Sequence, residues 1–166
     1  FRSIPLLLVI TWFYFAVPFI LRWITGEDTP VGAFTSCLVA FMMFEAAYYC
    51  EIVRAGIQGL DRGQFEAARS LGLGYLASMR LVILPQALRI TVPPLISQTL
   101  NLWKNTSIAT VIGVAELMYQ AGQVESSTFR SFESFAFATA AYLSVSLLIT
   151  GAAAWYQQRY PGVERR

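Results

Sequence analysis

Residues 135–156, FAFATAAYLSVSLLITGAAAWY, run without a single Asp, Glu, Lys or Arg. A helix of about 20 mainly apolar residues is long enough to cross the hydrocarbon core of a bilayer, so this stretch predicts a transmembrane helix. Three further apolar segments have similar lengths, at roughly Ile4–Leu21, Phe34–Val53 and Ile90–Val114. The predicted fold class is therefore all-α, a polytopic transmembrane helical bundle with about four spanning helices in a single domain, residues 1–166.

The composition supports a membrane protein and argues against several other classes. Hydrophobic residues make up 56% of the chain and charged residues only 13%, which is too little polar surface to cover a soluble globule. The net charge of +2, without a basic run interleaved with aromatic residues, argues against nucleic-acid binding. Histidine is absent and Cys37 and Cys50 lie in apolar surroundings, so we expect no metal site and interpret both cysteines as packing residues.

The distribution of arginine predicts which loops face the cytoplasm. The central segment, between the second and third spans, and the C-terminal tail carry most of the arginines: Arg54, Arg62, Arg69, Arg80, Arg89, Arg159, Arg165 and Arg166. The other two loops carry five acidic residues against only two arginines, Arg22 and Arg130; the acidic residues are Glu27, Asp28, Glu116, Glu125 and Glu133. By the positive-inside rule, the central loop and the C-terminus are expected on the cytoplasmic side of a multi-pass membrane protein.

The central loop contains the signals of a short helix. Asp61 is a suitable residue to precede a helix, and residues 64–71 are mostly good helix formers. Gly72 and Gly74 follow as stop signals. The pattern predicts a helix from about Arg62 to Leu71.

One face of this predicted helix is suited to a partner protein. Phe65, Ala68 and Gly72 recur at helical spacing, so they would present one aromatic side chain and otherwise allow close backbone approach in a groove. A helix that merely caps the bundle is the alternative. Leu84-Pro85 is expected to open the next span, because proline's missing N–H costs least in a first helical turn.

The central segment resembles the EAA loop of bacterial ABC-importer permeases. The residues that match at the family's fixed spacing are Glu66, Ala67, Ala68, Gly72, Val82, Leu84 and Pro85, with Val82 where isoleucine is usual. The resemblance assigns residues of about 58–85 to the loop that couples the permease to an ATPase. Further phrases are similar to the polar amino-acid (His/Glu/Gln/Arg-type) branch of the family, and most of all to glutamate/aspartate permease subunits: FRSIPLL at 1–7, EAAYY at 45–49, EIVRAGI at 51–57, RGQ at 62–64 and KNTS at 104–107.

The resemblance implies an amino-acid importer in the bacterial inner membrane, with glutamate and aspartate as the expected substrates. It implies five transmembrane helices, so we expect the first to be missing from this chain. It also implies three kinds of protein partner: a dimer of cytoplasmic ABC ATPases, a second permease subunit that is the same or related, and an extracytoplasmic amino-acid-binding protein. ATP and Mg²⁺ are expected on the ATPase, and no cofactor on this chain.

Two other functions remain open at this stage. One is a permease for a neutral or basic polar amino acid, and the other is a self-sufficient channel or secondary carrier with Glu45 and Lys104 in its ion path. Carriers built from inverted repeats should show two related sets of broken helices, and the sequence shows no internal repeat. The sequence also lacks a Gly-rich phosphate loop and a nucleophile elbow, so no catalytic residues are assigned.

Charged residues in the second span and at its cytoplasmic end are candidates for a substrate path, because a charge at membrane depth is costly and usually functional or paired. Glu45 lies mid-span with Tyr49 one turn further on, and these two could meet a substrate ammonium group. An interhelical hydrogen bond that fixes packing is the alternative for Glu45. Arg54 follows Glu51 by three residues, so a local ion pair and snorkelling of the side chain could explain it without a substrate.

Lys104 is the strongest candidate for the substrate path. It lies well inside the third predicted span and is followed by Asn105, Thr106 and Ser107, whose polar groups suit an interrupted helix beside a cavity. Its ammonium group could attract a substrate carboxylate. The alternative is an ion pair with Glu45 or Glu116 that holds the bundle together.

Overall fold

A computed structural model describes residues 4–27 and 30–159. Within these ranges the structure is all-α, as predicted. The α-helices are α1 (Leu6–Thr11), α2 (Val17–Thr25), α3 (Ala33–Gln58), α4 (Arg62–Ser70), α5 (Tyr75–Ser78), α6 (Leu84–Asn105), α7 (Leu117–Thr128) and α8 (Ser131–Arg159). Two π-helical turns, Trp12–Ala16 and Met79–Ile83, and one 3₁₀ helix, Thr106–Ile112, join some of them end to end.

Four of these helical runs are long and apolar enough to cross a membrane, which confirms the predicted number. They are Leu6–Thr25, Ala33–Gln58, Tyr75–Ile112 and Ser131–Arg159. Most of their large apolar side chains are exposed on the isolated chain; Phe19 and Phe137, for example, are 72% and 71% exposed. Such surfaces are suited to contact with lipid.

Leu84 and Pro85 open the α-helix α6, as predicted, with Pro85 in its first turn. The apolar helical run begins earlier, at Tyr75, because a π-helical turn joins α5 to α6. Proline has no N–H to donate to the carbonyl four residues earlier, which interrupts the α-helical hydrogen bonding. The chain forms a π-helical turn, Met79–Ile83, immediately before this position, and the N–H of Leu84 donates to the Met79 carbonyl five residues back.

The chain divides into two compact units. The first contains residues 1–47 and 101–148, and within it α1 packs against the 3₁₀ helix around buried side chains that include Ile10 and Ile112. The second contains residues 48–100 and 149–166. In the second unit, α4 packs against α5 and the π-helical turn Met79–Ile83.

Close packing between α3 and α6 positions the helices of the second unit. Gly56 is buried on α3, and a Cβ added there would overlap Cγ2 of Thr91 on α6 and lie 3.4 Å from the Ala87 carbonyl oxygen. Ile83, Ala87 and Thr91 form a buried stripe at helical spacing, each at most 3% exposed. Glycine on one helix and small residues on the other let the two backbones approach closely.

Candidate functional site

The short helix predicted in the central loop is α4, Arg62–Ser70. Asp61 precedes it as the N-cap, and its Oδ1 accepts a hydrogen bond of 2.8 Å from the Gly63 N–H. This bond satisfies one of the N–H groups that have no partner within the helix. The predicted end at Leu71 is one residue beyond the observed end, where Leu71 is the C-cap.

Gly72 reverses the chain after α4. Its φ is +74°, in the left-handed region, and its N–H donates to the Arg69 carbonyl at 2.9 Å while the Leu73 N–H donates to the Ala68 carbonyl at 3.1 Å. These two bonds form a Schellman motif, which favours glycine at this position. A Cβ on Gly72 would meet no atom within 4 Å, so the glycine is needed for its backbone conformation and no close neighbour requires it.

The docking face predicted for α4 is turned towards its own chain. Ala68 is only 2% exposed and Phe65 is half-buried, because the reversal at Gly72 brings α5 and the π-helical turn against this side of α4. The residues that α4 exposes are Arg62, Gly63, Gln64, Glu66, Ala67, Arg69 and Ser70. Of the EAA residues, Glu66 and Ala67 therefore remain accessible to a partner, whereas Ala68 packs internally.

A hydrogen bond that the sequence did not predict joins α4 to α6. The Gln86 side-chain Nε2 donates to Gln64 Oε1 at 3.0 Å and also to the Val82 carbonyl at 2.9 Å. Gln64 and Gln86 are 22 positions apart in the sequence. No local pattern could have identified the pair.

The candidate path residues Tyr49 and Arg54 both have partners in the second unit. Thr99 Oγ1 donates to the Leu95 carbonyl, so the Tyr49 hydroxyl is the donor in its 2.9 Å hydrogen bond with Thr99. Arg54 forms an ion pair with Glu51 and donates to Gln58 Oε1 at 3.0 Å. The local ion pair named as the alternative explanation for Arg54 is thus present.

The two charged path candidates of the first unit, Glu45 and Lys104, differ in their exposure. Glu45 is only 5% exposed. Lys104 is exposed, and its ammonium group forms no ion pair with any acidic side chain in residues 4–27 and 30–159. The alternative that Lys104 pairs with Glu45 or Glu116 is therefore not observed.

Glu116 has a different role, as the N-cap of α7. Its Oε1 accepts from the Tyr119 N–H at 2.6 Å, and its Oε2 accepts from the Met118 N–H at 2.8 Å and from the Tyr142 hydroxyl at 2.9 Å. These bonds fix the start of α7 and link it to α8. α7 was not predicted from the sequence, because its 12 residues are too few for a membrane span and glutamate is not among the favoured N-cap residues.

The segment after Lys104 changes its helix type. The α-helix gives way to the 3₁₀ helix at Thr106, which ends at Gly113 with φ +78°. The Thr106 and Ser107 hydroxyls donate to the carbonyls of Trp103 and Lys104, at 2.7 and 2.8 Å. Their protons are thus committed to the backbone, and only their oxygen lone pairs remain available to another group.

The sequence matches a known protein family. The profile of the family described as "Binding-protein-dependent transport system inner membrane component" matches residues 1–161. The chain belongs to this family. It is therefore an inner-membrane component of a transport system, and its α4 and Gly72 turn carry the EAA pattern.

Individual relatives of this permease are amino-acid transporters. It is 44% identical over 157 residues to the glutamate/aspartate import permease protein GltK of Escherichia coli O6:H1, covering 89% of this chain and 70% of GltK. It is 42% identical over 146 residues to the probable glutamine ABC transporter permease protein GlnM of Bacillus subtilis, covering 88% of this chain and 64% of GlnM. The crystal structure of an amino acid ABC transporter with histidines is similar over 95% of this chain and 71% of that one, at 35% identity and a TM-score of 0.85.

Proposed function

We propose that this permease subunit imports glutamate and aspartate. The observation that carries the proposal is the 44% identity to GltK, together with a 37% identity to the glutamate/aspartate import permease protein GltJ of Escherichia coli K12. Import of glutamine is the second candidate, supported by the 42% identity to GlnM. The two candidates differ by one charge on the substrate side chain.

The proposed complex contains four kinds of component besides the bilayer. This chain pairs with a second permease subunit, the same or related, and an extracytoplasmic binding protein delivers the amino acid. Two cytoplasmic ATPases bind ATP and Mg²⁺ and carry out the hydrolysis, while this chain supplies no catalytic residue and binds no cofactor. The central loop and the C-terminus face the cytoplasm, in agreement with their excess of arginine.

The coupling loop, residues 58–85, is the proposed contact with the ATPase. Its outward groups include Glu66 and Ala67 on α4, a helix held at both ends by Asp61 and Gly72. When ATP binding closes the ATPase dimer, the loop moves with it and the permease subunits change from inward-open to outward-open. Such a change needs contacts that favour one state over the other.

Lys104 is the proposed contact with an anionic substrate. The support is an exposed ammonium group within a spanning helix, without an ion pair in the described residues, just before the switch to 3₁₀ geometry. Asn105 provides a carboxamide beside it, whereas the Thr106 and Ser107 hydroxyls, which donate to backbone carbonyls, provide oxygen lone pairs that could accept from a substrate ammonium group. A carboxylate of glutamate or aspartate would compensate this charge.

The experiment reconstitutes the full transporter, with its ATPase and binding protein, in proteoliposomes. Import of radiolabelled glutamate is measured against competing aspartate, glutamine and arginine at equal concentrations. Glutamate import that aspartate inhibits and glutamine does not inhibit supports the acidic substrates. Absence of glutamate import, with import of radiolabelled glutamine by the same complex, supports the second candidate. Ala67→Cys, in a background with Cys37→Ala and Cys50→Ala, tests ATPase contact by cross-linking; absence of any cross-link would rule out the proposed docking surface.

A further inference from the structure

The hydrogen bonds of Gln86 connect three parts of the second unit. Its carboxamide nitrogen carries two hydrogens, and the two observed acceptors are Gln64 Oε1 on α4 and the Val82 carbonyl in the π-helical turn. One planar group thus joins the coupling helix to the turn that precedes Pro85. Glutamate in place of Gln86 would present carboxylate oxygens to these two acceptors and could form neither hydrogen bond.

The other side-chain hydrogen bonds of α4 are local. Ser70 donates to the Glu66 carbonyl, and the Asp61 cap accepts from Gly63. Within the described part of the chain, Gln64–Gln86 is the side-chain hydrogen bond that ties α4 to another helix. The remaining tie is apolar packing around Ala68, which resists separation of the helices but does not by itself fix the sliding of one helix along another.

We propose that Gln64 and Gln86 are positioning residues that transmit movement of α4 to the spanning helix α6. The inference rests on the proposed contact between the coupling loop and the ATPase. A displacement of α4 pulls on Gln86 and, through the Val82 carbonyl, on the π-helical turn. Because that turn already departs from regular α-helical hydrogen bonding, it is a suitable place for the third span to change its course.

The test compares substitutions that keep or remove the bond. Gln64→Glu retains an acceptor for the Gln86 amide, whereas Gln64→Met and Gln86→Met remove the bond with little change in side-chain length. Gln120→Met is the matched control, since Gln120 is exposed on α7 and its side chain makes no hydrogen bond in the described structure. The readouts are complex assembly, ATPase rate with loaded binding protein, and substrate imported per ATP hydrolysed.

The loss of one net hydrogen bond corresponds to about a fivefold effect. We therefore expect Gln64→Met and Gln86→Met each to lower import per ATP about fivefold, with assembly unchanged. Their double variant should be no worse than either single one, because both remove the same interaction. Gln64→Glu and Gln120→Met should behave as wild type.

Several results would overturn the inference. One is a wild-type amount of substrate imported per ATP in Gln64→Met, and another is additive losses in the double variant. A third is failure of Gln64→Met to assemble while Gln64→Glu assembles, because the bond would then have a purely structural role. If Gln86→Met does not assemble, the comparison of Gln64→Met with Gln64→Glu alone decides whether the bond transmits movement. The Ala67→Cys cross-link to the ATPase separates the two proposals. Normal coupling in Gln64→Met with the cross-link present refutes only the transmission role. Absence of the cross-link in the Cys37→Ala, Cys50→Ala background with Gln64 and Gln86 intact refutes the docking role.

Discussion

Gly56→Ala should destabilise the permease by steric overlap at the crossing of α3 and α6. The added Cβ would overlap Thr91 Cγ2, and Thr91 is only 1% exposed, with a β-branched side chain that has few alternative rotamers. Overpacking of this kind costs about 1–3 kcal/mol. For a chain of this size, that corresponds to a fall in melting temperature of roughly 2–12 °C.

A second substitution should relieve the overlap. Thr91→Ser removes Cγ2 but keeps the hydroxyl that donates to the Leu88 carbonyl at 3.1 Å. The nearest remaining atom to the new Cβ would then be the Ala87 carbonyl oxygen at 3.4 Å, an ordinary van der Waals contact. The double variant Gly56→Ala/Thr91→Ser is therefore expected to recover most of the lost stability.

Thermal unfolding of the purified complex in detergent, followed by circular dichroism, measures these differences. Gly151→Ala is the matched control, because a Cβ at Gly151 on α8 would meet no atom within 4 Å. A wild-type melting temperature for Gly56→Ala would refute the predicted overlap. Failure of Thr91→Ser to raise the melting temperature of the Gly56→Ala variant would also refute it, since the loss would then have another cause.

Three further predictions concern the coupling loop, the substrate and α7. Gly72→Val should uncouple ATP hydrolysis from import by straining the left-handed turn by about 1–2 kcal/mol, whereas Gly72→Asn should retain most coupling; equal behaviour of the two variants would contradict the turn's role. Lys104→Met should lower glutamate import roughly 10- to 150-fold, which corresponds to a loss of about 1.5–3 kcal/mol, in a complex that assembles normally. Wild-type uptake over a range of loaded binding-protein concentrations would exclude Lys104 from the substrate path. Glu116→Ala should destabilise α7 by about 0.5–2 kcal/mol, measured as faster amide hydrogen exchange over residues 117–120, with unchanged exchange arguing against the cap.

The sequence was sufficient where the signal was local or compositional. Apolar length predicted four spanning helices, and the combination of Asp61 and Gly72 predicted the short α4 helix within one residue. Both results follow from physical requirements that act within a few turns of chain. A helix needs about 20 apolar residues to cross a bilayer, and its ends need partners for their free backbone groups.

Prediction failed where the outcome depends on contacts between distant segments. The third apolar run begins at Tyr75, ahead of Leu84 and Pro85, because a π-helical turn joins α5 to α6, and no local signal predicted that continuation. The docking face of α4 was assigned to the side of Ala68 because amphipathic spacing does not indicate which neighbour covers a face. That neighbour is the chain's own continuation through α5, which only the reversal at Gly72 makes possible.

The construction of α4 indicates which spanning helix its movement would affect. Separating α4 from α5 and the π-helical turn would expose Ala68 and break Gln64–Gln86, a bond worth about 0.5–1.5 kcal/mol. Towards α3, the connection is the short segment Gly59–Asp61, whose backbone bonds run from Gly59 to Ala55 and from Leu60 to Ile57. In this segment the helix α3 has already ended and Gly59 gives the backbone more conformational freedom, whereas separation of α4 from α5 would expose buried apolar surface. A force on Glu66 or Ala67 would therefore be carried preferentially into Tyr75–Ile83 and the following α6, with the segment before Asp61 acting as the hinge.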